Sequence, residues 1–514
     1  MKKNYVLLLL AALFCFTSCS VLRTGTVKED GKIDIVLLQV NDVYEIAPLE
    51  GGRLGGMARV ATLKKQYLAQ NPNTLLVMAG DFVSPSVYNG LKYQGQPIRG
   101  RQMIEAMNAA GIDIAAFGNH EFDISEQELQ QRINESAFRW VSSNSFHNLN
   151  DRVIPFTKTV SGITEPLPQY IIKTFTDNDG TTAKVGFIGI NIPFNKARYV
   201  TYKDPFATAL TVYNQIKDSC NAVVAITHQL IEDDMKLAAQ VPGLAVILGG
   251  HEHDMRFEKQ GNIYITKAHA NAKSAFVVKL SIDTRTRAMQ VVPVLKNLND
   301  SVVLDSVTSG VVKKWGAIAD SSFRESGFNA AKVVMPAGQA LDARESVIRR
   351  QPTALTQLIV KAMAYACPDA NLVIFNAGSL RLDDELHPPV TQYDILRTLP
   401  YGGAIREADM TGRLLIKTLD AGVKNKGLGG FLQYSSFVTR KDGDGKWYIH
   451  NQPVEPEKIY KVALTDFLVS GKEVNLDFLN EKNYDIHRLY NPQTSPENSK
   501  SDIRLALIRY LEKM

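Results

Sequence analysis

The sequence predicts an α/β fold in two domains. Three observations predict it. The chain has 514 residues, more than a single hydrophobic core usually organises. Apolar runs of strand length alternate with helix-like stretches as far as about residue 300. A helical segment then separates this region from a second mixed region, residues 331–514.

The strand-length runs are Ile33–Val40, Thr74–Ala79, Asp113–Phe117, Val185–Ile190, Ala222–Thr227 and Leu244–Leu248. Near-continuous Val, Ile, Leu and Ala suit strands covered on both faces. Helices are expected between them at Ala58–Ala69, Arg101–Ala110 and Ser125–Ile133. From about Asp300 to Phe323 the chain reads as one helix, with Val303, Val307, Val311, Val312 and Trp315 loosely periodic. Residues 301–330 are therefore the expected linker between a first domain, 33–300, and the second. The second domain is expected to hold helices at Ala354–Tyr365, Tyr393–Leu399, Thr411–Leu419 and Asp502–Lys513, and a strand at Asn371–Phe375.

Residues 1–18 read as an export signal, with Lys2 and Lys3 ahead of the apolar stretch Val6 to Phe16. Phe16-Thr17-Ser18-Cys19 resembles a bacterial lipobox, in which Cys19 is lipidated and residues 19–32 form a tether. The expected location is the bacterial cell envelope, periplasmic or at the outer membrane, with the membrane as partner through the anchor. No later run reaches the length of a membrane span. Cys15 would leave with the signal, and Cys220 and Cys367 are expected to be buried free thiols. The net charge of +5 is small for this length and gives no reason to expect nucleic-acid-polymer binding, which usually needs a clustered basic stripe.

The residues that close each apolar run carry the chemistry. Asn41-Asp42, Gly80-Asp81, Gly118-Asn119-His120-Glu121, His228 and Gly250-His251-Glu252-His253 each end a predicted strand. Ligands of α/β sheets bind outside the carboxyl ends of the strands. One Asp or His at such an end is usually a turn or cap residue. Four of the nine histidines of the chain sit at these ends, which chance explains poorly. Carboxylate, amide and imidazole together suit two divalent ions such as zinc or manganese. Two such ions clamp phosphate oxygens and generate a nucleophile from water near neutral pH.

These motifs, with Phe122-Asp123 and Gly55-Gly56-Met57-Ala58-Arg59, resemble the calcineurin-like metallophosphoesterases of the 5′-nucleotidase branch. The resemblance implies a four-layer α/β/β/α metallophosphatase domain followed by an α+β 5′-nucleotidase-type C-terminal domain. It implies that Asp81 bridges two metals, that Asp42 and His253 bind the first, and that Asn119, His228 and His251 bind the second. His120 would steady the transition state, oriented by Asp123. The implied reaction is in-line attack on a nucleotide phosphate ester by hydroxide generated at the metals.

The family pattern at the first strand is Asp-x-His, and here it is Asp42-Val43-Tyr44. Tyr44 could coordinate through its oxygen, water could take the position, or the first metal site could be lost. In the second domain, Asn376 and Arg381 resemble the family's Asn-x-Gly-x-x-Arg motif, which contacts base and phosphate. Tyr401 and Phe467 match base-stacking aromatics, Arg349 a phosphate-contacting arginine and Glu473 a ribose-binding carboxylate. Pro352, Thr356 and Gln357 depart from the pattern after Arg349. Three functions remain open at this point: a 5′-nucleotidase, the same machinery acting on a cyclic nucleotide or nucleotide-sugar pyrophosphate, and a non-catalytic nucleotide-binding lipoprotein.

Overall fold

Alternation within the strand Lys32–Val40 sets the layering of the first domain. Ile33, Ile35 and Leu37 join one core, while Val36, Leu38 and Val40 join another. The computed structural model describes residues 29–194, 197–441, 443 and 445–514. The export signal and Cys19 lie outside the described residues.

Two six-stranded sheets face each other. The first runs in the order Met289–Asn297, Ser274–Asp283, Lys32–Val40, Thr74–Ala79, Ile114–Ala116, Arg139–Val141. The second runs Tyr170–Thr176, Thr182–Asn191, Ala222–His228, Val246–Gly250, Ile263–Lys267, Arg256–Gln260. Leu37, Val77 and Val278 of the first sheet share a core with Phe187, Val224 and Leu248 of the second. The outer face of the first sheet is covered by the helices Met57–Gln70 and Arg101–Ala110, through Met57, Val60, Met103 and Met107. The outer face of the second is covered by Pro205–Ile216 and Ile231–Gln240, through Val212, Ile216 and Leu237. The result is the expected α/β/β/α stack. The sheets are mixed rather than all parallel, because Ser274–Asp283 and Met289–Asn297 return antiparallel at one edge.

The middle helix is Ser306–Glu325, starting several residues later than its periodicity suggests. Asp305 explains the start: its carboxylate accepts from the Thr308 N–H and caps the first turn. Trp315 is fully buried, and its Nε1 donates to Glu105 Oε2 at 2.9 Å. The helix is therefore docked on the first domain, and the chain leaves it at Gly327 in the left-handed region, φ +86°.

The second domain has a five-stranded sheet in the order Leu432–Tyr434, Leu372–Asn376, Ile459–Thr465, Ile405–Thr411, Ile486–Tyr490. The helix Gly412–Lys424 packs on one face through Leu415 and Leu419. Ala354–Ala366 and Ile503–Leu511 pack on the other, through Ile359, Met363 and Leu507. Cys220 and Cys367 are buried free thiols, as expected.

Trp315→Ala is expected to lower the stability of the first domain by about 3–5 kcal/mol, because it empties a fully buried site. Urea titration of the variant against the natural protein measures this as an earlier first transition.

Candidate functional site

Left-handed backbone turns the site residues inward. Asp42, Asp81 and His251 have φ of 52°, 57° and 95°, a region that non-glycine residues enter at a cost. The neighbouring glycines make room for them. A Cβ on Gly118 would collide with Asp81 Oδ1, and one on Gly250 would collide with the Ala79 carbonyl.

The five strand ends converge. His228 Nδ1 lies 2.8 Å from the Ala79 carbonyl, which only accepts, so Nδ1 carries the proton and ties the two sheets together. Its Nε2 is left without a well-directed hydrogen bond, 3.1 Å from Asp81 Oδ2 and 3.8 Å from Asp42 Oδ1. His253 Nε2 stands 3.6 Å from Asp42 Oδ1. His251 donates its backbone N–H to Asp42 Oδ2 at 3.0 Å, and its Nδ1 is 3.2 Å from Asn119 Oδ1. The His120 N–H donates to Asp81 Oδ1 at 2.8 Å. His120 Nδ1 and Asp123 Oδ2 are 2.5 Å apart.

The Tyr44 hydroxyl reaches into the same place. It lies 2.9 Å from His253 Nε2, 3.1 Å from Asp81 Oδ2 and 3.4 Å from Asp42 Oδ1. A tetrahedral ion with bonds of about 2.0–2.2 Å separates its donor atoms by roughly 3.3–3.6 Å. The distance to Asp42 falls in that range, while the phenol sits at direct hydrogen-bond distance from His253 and Asp81.

Electrostatics agree with a cation site. Asp42 and Asp81 are fully buried, and among the described residues neither forms an ion pair with Lys or Arg. Burial alone would depress the His228 imidazole, but Asp81 and Asp42 hold it up at about 9. Burial likewise opposes the charge of His253, and Asp383, 3.0 Å from its Nδ1, lifts it to about 10. Burial and the neighbouring His228 push His251 down to about 3. Burial, then Asp81 and Asp42, drive the Tyr44 phenol well above its usual value. The orphaned Nε2 of His228 and the two buried carboxylates fit divalent ions, with Asp42, Asp81 and His228 forming one buried group.

Supporting residues escape a reading of the sequence. Glu121 accepts from the N–H groups of Asp81, Phe82, Val83 and Gly118, at 2.9, 2.7, 3.1 and 2.6 Å. It fixes the loop that aims Asp81. Burial and Asp81 raise its carboxyl to about 7. Lys267, fully buried, lies 2.5 Å from Glu252 and 2.9 Å from Asp234, and so anchors the loop between His251 and His253. Arg59, the last residue of the Gly-Gly-Met-Ala-Arg motif, bonds the carbonyls of Gly55 and Gly52 and shapes the backbone instead of entering the site.

The second domain closes the site. Arg381 Nη2 lies 3.4 Å from His120 Nε2. Arg349 and Arg381 both reach Glu345 Oε1, at 2.5 and 3.2 Å. Asn376 and Glu473 meet each other, Nδ2 to Oε2 at 2.6 Å, and Asn376 Oδ1 accepts from the Ser379 hydroxyl. Tyr401 and Phe467 are 64% and 42% exposed, on loops pinned together by Asp466 N to the Ala404 carbonyl at 3.0 Å.

A family model described as calcineurin-like phosphoesterase matches residues 35–255, and one described as 5′-nucleotidase, C-terminal domain, matches residues 336–481. The chain belongs to the 5′-nucleotidase family of calcineurin-like phosphoesterases. It is a phosphoric ester hydrolase by class. It is 25% identical to the 5′-nucleotidase of Bos taurus over 477 residues, covering 81% of this chain and 78% of that protein. Its fold is similar to that of a 5′-nucleotidase precursor from Thermus thermophilus, with TM-score 0.69 and 20% identity over 94% of this chain and 96% of that one. The sulfate thiohydrolase SoxB of the same genus is also similar, with TM-score 0.63, 15% identity and coverage of 93% and 94%. In this family a shared fold leaves the ester to be argued from the site.

Metal ligands must shed protons. As candidate ligands, His228 and His253 are held protonated at neutral pH by the neighbouring carboxylates, so metal affinity should rise with pH up to about 9 and 10 respectively. Loading zinc or manganese at pH 7 should release about two protons per chain, read with an indicator dye in weak buffer. Uptake without proton release would contradict this account of the two imidazoles.

Proposed function

We propose that the protein hydrolyses phosphate esters of nucleotides where its two domains meet. One observation carries this reading: Arg381, a guanidinium of the second domain, lies 3.4 Å from His120 among the candidate metal ligands. Guanidinium forks pair naturally with phosphate. Two divalent ions, when bound, would supply Lewis acidity and a water made nucleophilic near neutral pH. The first would be held by Asp42, Asp81, His253 and Tyr44, and the second by Asp81, Asn119, His228 and His251. The mix of carboxylate, imidazole and amide donors favours zinc or manganese.

The protein's own groups do the rest. Arg349 and Arg381 orient the phosphate. Asp123 holds the Nδ1 proton of His120, and burial, which opposes charge there, is outweighed by Asp81 and Asp123. An imidazolium facing the departing oxygen then stabilises the charge that develops on it. Tyr401 and Phe467 stack the base, and the Asn376–Glu473 pair forms the polar floor for base and ribose.

The same proposal puts the mature chain in the bacterial cell envelope, exported by residues 1–18 and anchored through a lipid on Cys19. Its support is the Lys2-Lys3 start, the apolar Val6 to Phe16 stretch and the lipobox-like ending. Among the described residues no helix is long and apolar enough to cross a membrane.

Phosphate release from nucleoside monophosphates, cyclic nucleotides and nucleotide sugars, with zinc or manganese added, tests the reading. Asp81→Asn is expected to lower kcat/KM at least about a hundredfold. Silence with every substrate and metal would leave a nucleotide-binding protein without turnover. Tyr44→His should tighten the first ion by about tenfold, since imidazole is the better donor for a divalent ion. Competition with a chromogenic chelator measures it, and an unchanged affinity counts against Tyr44 as a donor.

A further inference from the structure

The arginine pair that faces the candidate metal ligands already holds an anion of the protein's own. Glu345 Oε1 lies 2.5 Å from Arg349 Nη2 and 3.2 Å from Arg381 Nη1. Its backbone N–H donates to Asp383 Oδ1 at 2.5 Å, which fixes the turn that presents it. Asp383 in turn lies 3.0 Å from His253, and Arg381 lies 3.4 Å from His120. Glu345 therefore touches both Arg381 and Asp383, the two residues that approach His120 and His253 from the second domain.

The positive charge on this wall is partly cancelled. Two guanidiniums share one carboxylate, Glu345, while Asp383 pairs with His253. Arg344 adds no free charge, because Asp342 holds it at 2.6 Å and Glu385 at 3.3 Å. The Nε atoms of Arg349 and Arg381 are nonetheless buried without hydrogen-bond partners, so each guanidinium keeps a donor for an incoming acceptor.

We propose that Glu345 is a specificity-determining residue, which tunes the pocket toward phosphodiesters and against phosphomonoesters. This rests on the reading of the site as a phosphoesterase and names its substrate class. A phosphodiester carries one negative charge at neutral pH. A phosphomonoester carries nearly two, because its second pKa is about 6. Both must lie against Arg381 and hence close to the Glu345 carboxylate. Like charges inside a partly buried pocket repel much more strongly than in water. Phosphodiesters include cyclic nucleotides and, by the same charge argument at the attacked phosphorus, linkages within nucleotide conjugates.

The test compares bis(p-nitrophenyl) phosphate with p-nitrophenyl phosphate on the full, metal-loaded protein at pH 8. The natural protein should prefer the diester in kcat/KM. Glu345→Gln removes the charge at constant shape and should move the ratio toward the monoester by about tenfold or more. Glu345→Asp keeps the charge and should keep the diester preference. Inhibition by inorganic phosphate, a dianion at this pH, should tighten by about tenfold in the Gln variant. Should the Gln variant fail to fold by thermal melting, the ratio for the natural protein decides by itself, and a monoester preference overturns the proposal. A ratio and a phosphate inhibition constant unmoved by Glu345→Gln also overturn it. Hydrolysis of neither ester with any metal would instead strike at the phosphoesterase reading.

Discussion

Two carboxylates buried at the line where the sheets meet are the constraint on which the rest of the site depends. Asp42 and Asp81 sit in low dielectric with no Lys or Arg ion pair among the described residues. Such groups persist only where something else stabilises their charge. Their surroundings are arranged to that end. Imidazoles converge on them from the second sheet, and backbone N–H groups of His120 and His251 approach their oxygens. Left-handed turns aim them inward, and glycines give them clearance. Each device costs stability by itself, and all of them become intelligible if cations complete the site.

The second domain shares this electrostatic problem. Asp383 charges and orients His253 from across the domain junction, so one candidate ligand of the first site takes its orientation from the other half of the chain. A carboxylate behind a ligating histidine typically raises its basicity and fixes its ring. Here that carboxylate belongs to the segment that also carries Arg381. The middle helix does not act as a loose tether between the halves. Trp315 welds it to the first domain, so a relative movement of the domains would have to be taken up after Glu325, where Gly327 has the backbone freedom to do so.

The convergence of the candidate ligands was legible in the sequence because chemistry-bearing residues follow apolar runs, and strand ends of an α/β sheet collect at one edge. His228 and His251 come to one pocket with Asp42 and Asp81 for that reason. The layering came from the family resemblance alone, since the alternation of strand-length runs with helix-like stretches showed only an α/β fold. The return strand Met289–Asn297 was not legible, because an edge strand with one exposed face gives a weaker apolar signal than a buried one. Glu121, Lys267, Asp383 and Glu345 were illegible as site-supporting residues for another reason. Each acts through partners on other segments of the chain, often far away in sequence, and a carboxylate or lysine alone looks like a solvated surface group.

Tyr44 shows how a departure from a pattern can be read once geometry is available. In the sequence it left three outcomes open: a donor, a place for water, or a lost site. A lost site would let the side chain turn away and let His253 and Asp42 relax. Instead the hydroxyl stays within 3.4 Å of all three neighbouring donor atoms, in a pocket that drives its proton affinity up. A phenol surrounded by two carboxylates is a poor arrangement unless it donates its proton or shares a cation with them. Glu345 makes a parallel case in the second domain, where an anion stands against arginines that a phosphate would use. Tyr44 puts a phenol where the family pattern has an imidazole, and Glu345 puts a carboxylate against two arginines. Together they place a phenol and a carboxylate of this chain beside the buried Asp42, Asp81 and His228 group and the arginines that face it.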